Sequence, residues 1–230
     1  MKYAALGLAA VLGLTSCGTL ARHAADAPVI RPSEVTDFRV LYGQNCSGCH
    51  GADGQGGLSV EIGAPLYLAI AGDAAIRRFT ADGVPGTGMP AFAQASGGLL
   101  TNAQIDILVR GIRARWATPG AFDKDQLPAY AVSKPGDAAR GHNVFTASCS
   151  RCHGPTGRGA RTIADSSYLA LVSDQHLRTV VITGMPHLGM PDWRSRPKPL
   201  SDTDITDVVA WLVSQRAPLS AQLNHPGGSQ

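Results

Sequence analysis

The sequence predicts an all-α fold of two tandem domains, and three observations carry that prediction. Residues Tyr67 to Pro90 match Tyr168 to Pro191 without a gap, and ten of the 24 positions are identical: Tyr67, Leu68, Ala69, Asp73, Arg77, Gly83, Pro85, Gly88, Met89 and Pro90 all recur. A Cys-x-x-Cys-His pentapeptide occurs twice, 103 residues apart, so each copy of the repeat makes one domain. Apolar residues recur at helical spacing near the end of each copy, and nothing around either pentapeptide alternates as a strand would.

From the start of the chain, residues 1–16 carry one lysine, Lys2, and an apolar run from Tyr3 to Leu14. That run is too short to span a bilayer and has the length of a secretory h-region. It ends Leu14-Thr15-Ser16-Cys17, which resembles the bacterial lipobox, a small residue before a cysteine that becomes the lipid-bearing N-terminus. The expectation is a lipoprotein signal peptide over 1–16, acylation of Cys17, and anchorage on the periplasmic side of a bacterial membrane, inner or outer. An ordinary signal peptide cut nearby would instead discard Cys17 or leave it as a free thiol. Cysteine arithmetic favours the lipid, because four of the five cysteines belong to the pentapeptides and a spare thiol is a liability in an oxidising compartment. Several acyl chains hold a protein firmly, since each buried methylene contributes about 0.8 kcal/mol and one chain alone is marginal. Residues 17–33 are small, polar and proline-punctuated and read as a tether.

The first domain is expected at 34–117. Ser33 is the candidate cap of a helix through Glu34, Phe38, Leu41 and Tyr42 into the first pentapeptide. Thr101 with Gln104 forms a capping box before the stripe Ile105, Leu108, Val109 and Ile112. Residues 118–135 read as a proline-bearing linker. The second domain, 136–217, opens with Asp137 as cap of a helix through Gly141, Val144 and Phe145. It closes with a helix from Ser201 bearing Ile205, Val208, Val209 and Leu212. Residues 218–230 read as a flexible tail. First and last helices are expected to cross in each domain, with bulky Phe38 over small Gly111 in one and small Gly141 under bulky Trp211 in the other.

The two pentapeptides, Cys46-Ser47-Gly48-Cys49-His50 and Cys149-Ser150-Arg151-Cys152-His153, have the c-type haem attachment pattern. On a helical turn two thiols three residues apart reach the two vinyl groups of one porphyrin, and the next imidazole sits beneath the iron. A zinc ribbon would need its thiol pairs ~15 to 20 residues apart and would leave both histidines idle. A thioredoxin-like pair would want a βαβ context. Two covalently bound haem c groups are therefore expected, and they explain how domains this small, with aromatics at 6% of the chain, obtain a core.

For the sixth ligand, three methionines remain after export: Met89, Met185 and Met190. Met89 lies in a glycine-rich loop, Gly86-Thr87-Gly88-Met89-Pro90, in which Pro90 biases it towards an extended backbone. Met190 stands in register with it, so Met89 and Met190 are the expected iron ligands. Met185, aligned with Val84, is the alternative for the second haem, with His187 and His176 behind it. Arg77 and Arg178, in register, either pair with haem propionates or end a solvated helix. Tyr67 and Tyr168 either pack in the core or bond propionates.

With these residues in place, both halves resemble class I cytochrome c domains, nearest to those of subunit III of cbb3-type oxidases. The matching pattern is Cys-x-x-Cys-His-Gly-x-x-Gly-x-Gly, a later Gly-Met-Pro, then a polar cap and a closing helix. The resemblance implies two domains of a few short helices around His/Met-ligated haem, shuttling single electrons. The chain departs from that subunit in having no transmembrane helix in its sequence. Its second domain also lacks a proline matching Pro65, so the haem-facing loop there is expected to differ.

His and thioether together favour ferrous iron and leave no open position for substrate. With 20 basic and 17 acidic residues the chain is only mildly positive, and haem propionates would cancel most of that. No basic run is interleaved with aromatics, so nucleic acid is not an expected partner. Three functional readings stand. One is a carrier between a quinol-oxidising complex and a terminal oxidase or photosynthetic reaction centre. Another is a cytochrome subunit fixed in a dehydrogenase or oxidase complex. The third is a dihaem enzyme of peroxidase or thiosulfate-oxidising type with one open iron.

Overall fold

The computed structural model describes residues 30–159, 162–195 and 198–216. The chain divides into two compact units, Met1–Val35 and Thr36–Gln230. The expected signal peptide, Cys17, most of the expected tether and the expected tail lie outside the described residues. In the first unit Pro32–Glu34 forms a short 3-10 turn, closed by the Arg31 guanidinium on the Glu34 carboxylate.

The second unit is helical, with no strand among the described residues, only two isolated bridges. In the first repeat the helices are α1 (Phe38–Asn45), α2 (Ser47–His50), α3 (Pro65–Ile70), α4 (Asp73–Asp82) and α5 (Asn102–Trp116). The second has α6 (Ala138–Ser148), α7 (Ser150–His153), α8 (Ser166–Leu171), α9 (Asp174–Thr183) and α10 (Asp202–Ser214). All-α architecture is thus as expected, and the repeat is structural as well as sequential.

Most starts follow the local chemistry. Thr101 Oγ1 accepts from the Gln104 N–H at 3.2 Å while Gln104 Oε1 accepts from the Thr101 N–H at 3.0 Å, the reciprocal box that satisfies two orphan donors. Ser201 and Asp204 repeat it on α10. Asp137 caps α6 through the Ala139 and Arg140 amides. The first helix corrects the expectation: Ser33 lies in the 3-10 turn of the other unit, and α1 is capped by Asp37, whose carboxylate accepts from the Val40 N–H at 3.0 Å. A carboxylate at the N-terminus satisfies an amide and meets the helix dipole, so it outcompetes a serine four residues upstream.

The missing proline of the second repeat is compensated in the same way. Pro65 supplies the first residue of α3; Asp165 caps α8 through the Ser167 and Tyr168 amides, and α8 begins at the equivalent position. Part of the preceding loop lies outside the described residues.

Both crossings form. A Cβ on Gly111 would lie 2.1 Å from Phe38 Cδ2, and the Phe38 ring also packs against Tyr42 and Trp116. A Cβ on Gly141 would lie 1.9 Å from the Asp207 carbonyl oxygen and 3.0 Å from Trp211 Cβ. In the second repeat the tightest approach is therefore to backbone, with Trp211 one turn on and its ring tilted against Phe145 at 4.2 Å.

The two repeats pack into one unit. Leu66 and Ile70 of α3 lie in the apolar cluster of the second repeat, with Leu169, Leu177, Ile182 and Trp211. The linker is engaged rather than loose: Phe122 and Leu127 join the same cluster, and Tyr130 packs edge-on against Tyr67 at 6.3 Å.

Candidate haem sites

Each pentapeptide folds as one helical turn. The Cys46 carbonyl accepts from the Cys49 and His50 amides at 3.2 and 3.0 Å, and the Cys149 carbonyl from Cys152 and His153 at 3.1 Å each. First cysteine and histidine are thereby stacked one turn apart. Cys46 and Cys149 are half-buried, and Cys49 and Cys152 are exposed. In both repeats the chain then turns at a glycine, Gly51 (φ 81, ψ 158) or Gly154 (φ 75, ψ 163), and folds back over the motif. Gly57 and Gly159 sit so close to it that a Cβ would meet the Cys49 carbonyl oxygen at 2.2 Å or the Gly154 nitrogen at 2.7 Å.

Haem fits these residues. His50 is buried, and its Nδ1 lies 2.8 Å from the Val60 carbonyl. A carbonyl only accepts, so Nδ1 carries the proton and Nε2 keeps its lone pair, the tautomer a metal requires. Burial holds the His50 pKa below its ordinary value despite that hydrogen bond, so the ring is neutral and able to ligate. Burial pushes the Cys46 thiol up to about 12, with Cys49 adding to it, an environment suited to the neutral sulfur of a thioether. Among the described residues no group of three or more His, Cys, Asp and Glu converges as a metal cluster would. The Tyr42 hydroxyl donates to the Gly51 carbonyl at 2.8 Å and braces the turn.

The methionine loops follow α4 and α9. Each helix ends on a glycine, Gly83 (φ 66, ψ −164) or Gly184 (φ 69, ψ −170), a backbone region essentially closed to other residues. A Cβ on Gly83 would meet Met89 O at 2.7 Å and Ala91 N at 2.6 Å; one on Gly184 would meet Met190 O at 2.5 Å. The methionine strand thus crosses directly over the helix end. The Val84 N–H donates to the Met89 carbonyl at 3.0 Å, and the Met185 N–H to the Met190 carbonyl at 3.0 Å, which puts Val84 and Met185 in register. Met190 N–H returns to the Met185 carbonyl at 3.1 Å. Residues paired in this way share a face, so both thioethers of the second loop leave on the same side. Met89, Met185 and Met190 are all half-buried.

Several expected roles resolve differently. Arg77 donates to Asp106 at 2.7 Å and Arg178 to Thr206 at 2.9 Å and to Asp202, so both bridge to the closing helix of their own repeat. Arg178, 2% exposed, also donates twice to the Ala129 carbonyl of the linker. Tyr67 is core, and Tyr168 Oη lies 3.4 Å from His176 Nε2. His187 Nδ1 faces the Glu61 carboxylate of the first repeat.

Sequence reasoning missed a second clamp. Arg113 of α5 donates to the Leu68 and Ala71 carbonyls at the end of α3 and to Asp73 at the start of α4. Arg216 does the same for Leu169, Val172 and Asp174 at 3.0, 2.7 and 2.6 Å. It stands three residues past the aligned position, Val213, which hid the equivalence. An arginine in the last turn after an apolar stripe was the available signal.

The family model described as cytochrome C oxidase, cbb3-type, subunit III matches the chain twice, over residues 33–110 and 136–212. The cytochrome bc1 complex cytochrome c subunit of Mycobacterium tuberculosis is 25% identical over 233 residues, covering 96% of this chain and 78% of that protein. The corresponding subunit of Corynebacterium diphtheriae is 26% identical over 243 residues, covering 94% and 80%. The cbb3-type cytochrome c oxidase subunit CcoP of an Azospirillum is 32% identical over 143 residues, covering 53% of this chain and 40% of that protein.

Proposed function

This chain belongs to the cbb3-type cytochrome c oxidase subunit III family, and from that premise we propose that it is a dihaem electron-transfer cytochrome. The observation that carries the reading is the doubled geometry: in each repeat a helical turn stacks a histidine one turn below a cysteine, with a glycine-gated methionine loop in register. Cys46, Cys49, His50 and Met89 hold one haem; Cys149, Cys152, His153 and Met190 hold the other, with Met185 the alternative. When bound, haem supplies a one-electron ferric/ferrous couple. The protein fixes the His50 tautomer through the Val60 carbonyl, and its residues would position the haem and set the polarity around it. Domain limits of 34–117 and 136–217 follow the repeat, and acylation of Cys17 tethers both domains to the periplasmic face of a membrane.

The relatives favour a subunit over a free carrier. Those aligned over nearly the whole chain are named as subunits of the bc1 complex, and CcoP as a subunit of an oxidase. In this second reading the chain relays electrons inside a quinol-oxidising or oxidase complex. Redox titration of the holoprotein with carbon monoxide added to the reduced form tests the first reading. Two one-electron waves and no carbon monoxide binding are expected, whereas binding at either iron overturns it in favour of a dihaem enzyme. Capture of the tagged chain from detergent-solubilised membranes decides between subunit and carrier.

A further inference from the structure

We propose that Glu61 of the first repeat is a positioning residue for the methionine loop of the second, so that one buried carboxylate ties the two haem sites together. The Glu61 side chain is 4% exposed, and its Oε1 faces His187 Nδ1 and accepts from the Gly56 N–H at 3.4 Å. Its neighbour Val60 provides the carbonyl that fixes the His50 tautomer at 2.8 Å. Two consecutive residues therefore touch the histidine of one site and the ligand loop of the other.

His187 stands in the middle of that loop. It lies in the 3-10 turn Pro186–Leu188, whose flanking residues Met185 and Met190 are joined by backbone hydrogen bonds of 3.0 and 3.1 Å. Residues 185–190 make a closed ring, and a ring anchored at one side chain moves as a body. A buried carboxylate is costly to leave without a partner, so the pairing holds the loop against the first repeat rather than merely decorating it. The equivalent loop of the first repeat has Gly86 where His187 stands. It is held internally by Thr87, whose Oγ1 donates to the Val84 carbonyl at 2.8 Å and accepts from the Met89 N–H at 3.2 Å. It also meets the second repeat, Gly88 N–H pointing at the Leu171 carbonyl at 3.4 Å. The second loop is thus tied to a side chain of the other repeat, and Leu66 and Ile70, packed into the second cluster, keep the two surfaces together.

The proposal rests on the reading that the 185–190 loop ligates the second haem. The test uses the mature holoprotein and proton NMR of its reduced form, in which each iron-bound methionine gives its own upfield set shifted by the haem ring current. Met89→Ala, Met185→Ala and Met190→Ala assign the two sets. Glu61→Gln and His187→Asn are each expected to shift or abolish the second-loop set, keep the Met89 set and admit carbon monoxide at one haem per chain. If both variants keep both sets and exclude carbon monoxide, even with a lowered unfolding midpoint, the contact is only structural and the proposal is overturned. If neither Met185→Ala nor Met190→Ala removes a set, the ligation reading itself has failed, and the proposal with it. Should Glu61→Gln not fold, His187→Asn by itself decides between these outcomes, because that side chain is 28% exposed and its loss leaves little void.

Discussion

Substituting Gly83 or Gly184 by alanine should break methionine ligation in the same repeat. At φ 66, ψ −164 and φ 69, ψ −170 a side chain costs ~1–3 kcal/mol of backbone strain. The new Cβ would then lie 2.6 Å from Pro90 C and Ala91 N, or 2.5 Å from Met190 O and 2.7 Å from Pro191 C. These are backbone atoms that no rotamer change can remove, and such overpacking adds ~1–3 kcal/mol. The sum, ~2–6 kcal/mol, is a large share of the ~5–15 kcal/mol that holds a typical domain. The cheapest relief moves the methionine strand outward by about 1 Å, the gap between these separations and van der Waals contact. Gly97→Ala isolates the strain: φ is 88 there, but a Cβ meets nothing within 4 Å, so only ~1–2 kcal/mol is expected and no spectral change. The assay is guanidinium denaturation of the oxidised holoprotein, read together with the near-infrared methionine-to-iron charge-transfer band. Gly83→Ala with its band intact and a midpoint matching that of Gly97→Ala would refute the reasoning.

Gly111→Leu should destabilise the first repeat by ~1–3 kcal/mol or more, because its Cβ alone meets the Phe38 ring at 2.1 Å. Adding Phe38→Ala should recover part of the loss, and a double-mutant cycle measures how much. Arg178→Leu strips the Ala129 carbonyl and Asp202 of a buried guanidinium. A cost of about 3 kcal/mol is expected, low in the range for broken buried pairs because Asp202 is half exposed, with faster proteolysis of the linker near Ala129. Burial holds His176 at about 4, below its ordinary 6.5. The unfolded chain therefore takes up a proton that the folded chain refuses. Its contribution is present above pH 6.5 and lost as pH falls towards about 4, up to about 3 kcal/mol. His176→Gln should flatten stability across that window, and denaturation midpoints at several pH values give the comparison.

Most of what depends on a few neighbouring residues was legible in the sequence, the Asp37 cap of α1 being a local feature that was misplaced onto Ser33. The thiols and histidine of each pentapeptide, the Thr101–Gln104 box, the Ile105–Ile112 stripe and the register of Met89 with Met190 are set by helical geometry and short hydrogen bonds. Volume matching extended that reach once, placing Phe38 on Gly111. It was less accurate for Gly141, where the nearest atom belongs to the Asp207 backbone and has no sequence signature.

What only the tertiary structure decided is who meets whom across long stretches of chain. Arginines at 77 and 178 carry the same charge whether they face a propionate or a helix, and the fold gave them Asp106 and Thr206. The linker looked featureless because its partners, Tyr67, Gln175 and Arg178, come from both repeats. His187 stands out in the sequence only as a candidate ligand and Glu61 not at all, and nothing in the sequence joins two residues 126 positions apart. Hydrogen bonds and charges act over a few ångströms, so a sequence reveals those its local geometry must make, while the path of the folded chain selects the rest.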